Sequence, residues 1–157
     1  MNLVGVRHKP NDRIYWFEAS HDALEFGRIV LGDSVLCCTK KGKQPGIVVA
    51  MIYNASNEEV VKITGRGQHN HIMGVWREVP IESIEIKEDF AKTTPAESKL
   101  EKRREEFLTT GTFDTRVTIR DNATQRRPIL DDGYTAYLVA KEFGKKYLRC
   151  FHKFVFI

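Results

Sequence analysis

The stretch from Ile129 to Gly144 constrains the fold more than any other part of this 157-residue chain. Two apolar residues, Ile129 and Leu130, lead into Asp131-Asp132-Gly133. The chain then reads Tyr134-Thr135-Ala136-Tyr137-Leu138-Val139-Ala140-Lys141-Glu142-Phe143-Gly144. This is the pattern of a strand that leaves through a glycine turn into a helix, with a second glycine as the stop. A helix that starts at such a turn points free backbone N–H groups and the positive end of its dipole outward, the arrangement that holds an anion.

The residues upstream supply the rest of an α+β unit. Val79-Pro80-Ile81-Glu82-Ser83-Ile84 reads as a short extended segment. Thr94-Pro95-Ala96-Glu97 has the form of a capping box: a threonine cap, proline at the first helical position, and glutamate three residues after the cap. The helix it opens runs to Thr110, with Gly111 as its stop. Leu100, Phe107 and Leu108 fall on one face, and Glu101, Lys102, Glu105 and Glu106 face water. Lys102-Arg103-Arg104, flanked by glutamates, reads as a salt-bridged solvated face. Residues 112–120 alternate as a strand, Asp121-Asn122 makes a turn, residues 127–130 return, and residues 147–156 form a last strand.

The first half reads as β structure. Strands are expected over residues 13–18, 34–39, 45–53 and 59–64, with extended structure resuming over 71–77. Residues 19–25 are a polar connection, residues 40–43 (Lys-Lys-Gly-Lys) a basic turn, residues 54–59 a polar turn, and residues 65–70 a glycine-rich loop. Short strands at this spacing predict a small antiparallel barrel. The chain is therefore expected to be α+β, with a barrel-like domain over 1–77 and a compact α+β domain over 78–157.

Two family resemblances follow from these strings. Tyr15-Trp16-Phe17-Glu18, Gly32-Asp33-Ser34-Val35-Leu36, Lys41-Gly42-Lys43 and Gly46-Ile47-Val48-Val49 resemble the small SH3-like barrels that open primosomal helicases and PSP-type stationary-phase proteins. Residues 79–154 resemble the N-terminal domain of ParB-type proteins, in the ParB/sulfiredoxin superfamily. The match rests on the residue 79–84 strand, the helix over 98–110, the strand near 117–120, and Ile129–Gly144, which is similar to the family string L-x-D-G-x-x-R-x-x-A-A-K-x-x-G. The resemblance implies that Asp132, Gly133, Tyr134 and Thr135 cradle a phosphate or nucleotide. This sequence departs from the pattern at one place: family members that bind nucleotides carry arginine in that first turn, whereas Gly133-Tyr134-Thr135-Ala136 holds no basic residue. Arg126 and Arg127, in the preceding hairpin, would supply the missing cation if that hairpin folds over the helix start. The sulfiredoxin branch places a reactive cysteine in this turn, where this chain has Tyr134.

Other readings of the same residues stay open. Asp132 serves equally as an N-cap, with Tyr134 and Tyr137 as packed or surface aromatics. Asp131 and Asp132 together have the chemistry to hold Mg²⁺ while phosphates fill its other positions, which would make Mg²⁺ with a nucleotide the cofactor of a hydrolase or nuclease. The sequence fixes no cofactor by itself. Lys40, Lys41 and Lys43 lie beside strands carrying Tyr15 and Trp16, a pattern suited to nucleic acid unless Trp16 fills the core. In the loop Gly65–His71, Arg66, His69 and His71 are candidate contacts for nucleic acid or a partner. His69 and His71, two apart, face one side, but two histidines underfill a metal site.

The composition limits the partners. Net charge is +4 with 29% charged residues, compatible with nucleic acid but no footprint on its own. Cys37, Cys38 and Cys150 form no disulfide framework and no zinc spacing. No run approaches the ~18 apolar residues of a membrane span, and the N-terminus lacks the features of a signal peptide, so a cytoplasmic location is expected. The leading functional expectation is a nonenzymatic protein that associates with nucleic acid or a protein partner, encoded on a mobile element. The rivals are the Mg²⁺-dependent enzyme and a structural adaptor that forms a homodimer or partner complex.

Overall fold

The computed structural model describes residues 1–19, 29–121 and 127–154. Most of the polar connection at 19–25, the Asn122 end of the expected turn, Arg126 and the end of the last expected strand lie outside them. The described chain is mixed α+β and divides into two compact units, one of Met1–Trp76 with Phe154 and one of Arg77–Lys153.

In the first unit, β1 (Asn2–Arg7) pairs antiparallel with both β2 (Tyr15–Ala19) and β4 (Gly42–Ile52). Strand β3 (Ser34–Thr39) pairs antiparallel with β4 through the Lys40-Lys41 turn and, on its other side, with the start of β5 (Ile72–Pro80). Val4, Val6, Phe17, Val35, Val48, Ile72 and Val75 bury their side chains in one core. Their β-branched and aromatic character fits a pleated, half-covered sheet.

The expected strand over 59–64 is instead a helix, α1 (Asn57–Thr64). Ser56 Oγ accepts the Glu59 amide at 3.2 Å, and Glu59 Oε1 accepts the Ser56 amide at 3.4 Å. This reciprocal capping box satisfies two donors that a helix start would otherwise leave open. Val60 anchors α1 on Leu3 and Ala55, with Trp16 packed at the edge of the same cluster. The SH3-like barrel is not closed. Between the segment before β5 and β2 there is an isolated bridge, Glu18 to His71, rather than a ladder. A helix where a strand was needed leaves the closure without its pairing partner.

In the second unit the last residues of β5 lie next to β8 (Tyr147–Lys153), followed by β6 (Thr118–Asp121) and β7 (Pro128–Asp132). Strands β6 and β8 run parallel, and β6 and β7 antiparallel with an irregularity between Thr118 and Ile119. A 3-10 turn (Ile81–Ser83) and a one-turn helix, α2 (Glu88–Ala91), precede the long helix α3 (Glu97–Thr110). Helix α4 (Tyr134–Glu142) buries Ala136, Tyr137 and Ala140 against Ile119, Leu130, Leu148 and Cys150.

Three expectations for this half are corrected. Helix α3 starts at Glu97 rather than Pro95. Ala96 is extended at φ −60° and ψ 139° and the start has no side-chain cap, so the Thr94 box does not form. Of the expected 112–120 strand only residues 118–120 are extended in a ladder, which runs on to Asp121, and Phe113 instead stacks on Phe107 at 5.5 Å. Leu108 is 71% exposed, so it does not share the packed face with Phe107. Phe107 instead sits against Phe113 and Phe143.

Replacing Ser56 by Ala removes one half of the α1 box. The expected loss is about 1 kcal/mol of unfolding free energy in a urea titration. An unchanged midpoint would show that the box does not stabilise α1.

Candidate functional site

Gly133 sets the geometry of the site. It is left-handed, at φ 93° and ψ 29°. A Cβ there would lie 2.9 Å from Val117 Cα and 3.3 Å from Arg116 O. Conformation and space both demand glycine, and the close approach fixes where α4 begins relative to β6. Tyr137 N donates to Gly133 O at 3.0 Å, the first helical bond. Asp132 Oδ1 is taken by the Gly133 amide at 2.8 Å. Asp132 is therefore not the N-cap: Gly133 holds that position, and no side chain caps the helix. The amides of Tyr134, Thr135 and Ala136 have no acceptor among the described residues, as expected for an open first turn.

A cleft of about 460 Å³ opens at this helix start. Asp132, Gly133, Tyr134 and Thr135 line it, so the turn predicted from the sequence does border a cavity. Its opposite wall is α3, which contributes Lys99, Lys102 and Arg103. Spacings of three and four residues place these cations on one helical face. Phe90 from α2 and Thr115 also line it. Phe90 and Tyr134 stack, with ring centroids 5.3 Å apart, and Tyr134 also stacks on Tyr137 at 6.1 Å.

The electrostatics of this wall differ from the solvated face read from the sequence. Among the described residues Arg104 makes that kind of network, binding Glu97, Glu101 and Glu142 at 2.6 to 3.2 Å and, through Glu142, tying α3 to α4. Lys99 and Lys102 form no ion pair among the described residues and border the cleft. Arg103 Nη1 binds both oxygens of Glu106, at 2.6 and 2.8 Å. Burial pushes the Glu106 carboxyl up, but Arg103 and the Asp114 amide outweigh it and hold the group below the usual carboxylate range. The cations of the cleft were thus missed as a site. Their signal was the 99, 102, 103 spacing, which composition alone does not separate from a wet face.

The structure separates Asp131 from Asp132, as adjacent strand residues point to opposite faces. Asp131 Oδ2 accepts Lys153 Nζ at 2.9 Å, and its Oδ1 accepts Lys87 Nζ and Arg120 Nε, each at 3.3 Å. Its lone pairs meet three cations rather than a metal-binding partner carboxylate, so the two residues are not brought together as a Mg²⁺ pair. Among the described residues no three His, Cys, Asp or Glu side chains gather as a metal site requires. Arg127 is placed away from the helix start: its guanidinium donates to the carbonyls of Glu82 and Ser83. His69 is held by Thr64 Oγ1 and the Trp16 carbonyl, and His71 faces Glu18 at 3.8 Å, so the two do not converge on one ligand. Lys40, Lys41, Lys43 and Arg66 are exposed on the first unit. Cys37 and Cys150 are buried, which pushes each thiol up to about 12, while Cys38 is exposed. No helix among the described residues is long and apolar enough to cross a membrane.

Gly133→Ala should lower stability by at least about 1 kcal/mol, the left-handed penalty for a Cβ, with the clash on Val117 added. Thermal unfolding measures it, and a wild-type Tm would contradict the packing described. A pH effect follows from Asp131. The Lys153 hydrogen bond holds its carboxyl below the usual range; burial opposes this and Lys87 reinforces it. A carboxyl depressed in the folded state contributes stability above its unfolded pKa, near 4, and that contribution is lost as pH falls through the folded value. Asp131→Asn should flatten the decline of stability below about pH 4, read from denaturation curves at a series of pH values.

No protein-family model matches the chain, and no curated protein does. Solved structures do. Sulfiredoxin from Arabidopsis thaliana is similar over 50% of this chain and 83% of its own, at 14% identity and a TM-score of 0.43. The C-terminally truncated chromosome-partitioning protein ParB from Caulobacter crescentus, complexed with CTP-γ-S, is similar over 52% of this chain and 45% of its own, at 21% identity and a TM-score of 0.42. A Pnob8-like ParB-N domain is similar over 52% of this chain and 31% of its own, at 18% identity and a TM-score of 0.42. This chain spans less than half the length of those two ParB chains. Each of these likenesses covers about half of this chain.

Proposed function

We propose that the second unit is a binding module for a nucleotide, with its phosphates at the start of α4. The observation that carries this reading is the pairing, across one cleft, of an uncapped helix start with two lysines that have no ion-pair partner among the described residues. The Tyr134, Thr135 and Ala136 amides offer directional donors, and Lys99 and Lys102 supply the charge that the first turn itself lacks. Asp132 opposes an anion here, but its Oδ1 is occupied by the Gly133 amide and the lysines outnumber it. The stacked Phe90 and Tyr134 rings provide an apolar flat surface for a base. The cleft volume of about 460 Å³ falls in the ordinary range for small-molecule sites.

Calorimetric titration with CTP, ATP and inorganic triphosphate tests the reading. Binding of at least one nucleotide is expected, weakened at least about tenfold by Lys99→Ala with Lys102→Ala, the size of one lost charge-assisted contact. Absence of heat at millimolar nucleotide, or unchanged affinity in the double variant, would remove the site.

A second reading, association with nucleic acid, is favoured by a different observation. Lys87, Arg120 and Lys153 crowd one carboxylate, Asp131, leaving a local excess of positive charge. Duplex DNA binding whose affinity falls with salt, and falls further in Lys153→Glu, is the expected outcome; salt-independent or absent binding would sink it.

A further inference from the structure

We infer that Glu106 is a built-in competitor of the ligand for Arg103, and so sets how tightly the cleft holds a nucleotide polyphosphate. This inference rests on the nucleotide reading above. Arg103 lines the cleft beside Lys99 and Lys102, yet unlike them it is already engaged. A single guanidinium nitrogen, Nη1, serves both Glu106 oxygens at 2.6 and 2.8 Å. The Nε and Nη2 donors of Arg103 have no partner among the described residues. A guanidinium presents five donors in a rigid fork. Arg103 is thus able to reach a phosphate with its remaining donors, but its charge is largely cancelled while the carboxylate stays in contact. Both side chains are shielded, at 21% and 13% exposure, so water screens the pair weakly. An incoming polyphosphate and Glu106 are two anions drawing on the Arg103 guanidinium, and Glu106 also feels the charge of Lys102.

Glu106 also has a structural contact, accepting the Asp114 amide at 3.3 Å next to Thr115, which lines the cleft. Replacing it with glutamine keeps a carbonyl oxygen for that amide and removes the negative charge. The two roles therefore give opposite signs. If Glu106 only supports the fold of the cleft, Glu106→Gln leaves affinity unchanged or weakens it. If it competes for Arg103, the same change tightens binding.

The experiment is a double-mutant cycle with Glu106→Gln, Arg103→Ala and the pair, titrated with CTP, ATP and inorganic triphosphate, each variant checked for wild-type circular dichroism. Glu106→Gln is expected to bind about tenfold tighter, the scale of one restored charge-assisted contact. Most of that gain should be lost when Arg103 is alanine, the remainder reflecting the Lys102 charge that Glu106 also meets. Equal or weaker binding by Glu106→Gln, or an equal gain without Arg103, would overturn the competition while leaving the nucleotide site standing. Failure of wild type and Glu106→Gln alike to bind any of the three probes would overturn both.

Discussion

The second unit depends on a backbone contact that permits no side chain. Gly133 turns left-handed where strand β7 ends, against the backbone of Val117 just ahead of β6. This fixes the start of α4 over the edge of the sheet. The same contact leaves the first helical amides facing outward, because the turn has no side chain with which to cover them. Fold and candidate site are therefore two results of one local constraint. The core beneath, built from Ile119, Leu130, Ala136 and Ala140, anchors the two elements that the turn connects.

Charge is organised around that turn in three ways. Arg104 joins α3 to α4 through Glu142 and is absorbed by structure. Asp131 collects Lys87, Arg120 and Lys153 on the far face of β7. Lys99 and Lys102 are left over, and they border the cleft. What distinguishes a candidate binding cation from a structural one is the partner it has, and partners depend on helix faces and on residues distant in sequence.

That explains which parts of the chain were readable in advance. The strand, glycine turn and helix over 128–142 were legible because local rules decide them: apolar strand residues, a glycine able to adopt positive φ, and a helix-forming run closed by Gly144. The α1 capping box was equally local, since Ser56 and Glu59 stand in the required spacing, but valine and isoleucine at 60, 61 and 63 weighted the reading toward a strand. The Thr94 box shows the converse: its residues are correct, and Ala96 nonetheless stays extended, moving the helix start to Glu97. The cationic wall of the cleft was least legible. Lys102 and Arg103 lie in a run flanked by Glu101 and Glu105, and whether each is paired is settled by rotation about the helix and by contacts such as Arg104 to Glu142, 38 residues away.

Helix α3 contains no buried residue. It is held by the Arg104–Glu142 contact and by the stacking of Phe107 between Phe113 and Phe143. One side of the cleft is thus attached in part through an ion pair exposed to solvent, which electrolyte weakens. Raising ionic strength would act twice, once by shielding an anionic guest from the lysines and once by loosening the scaffold that presents them. Occupancy of such a recess would decline more steeply with added salt than a count of its own cations implies.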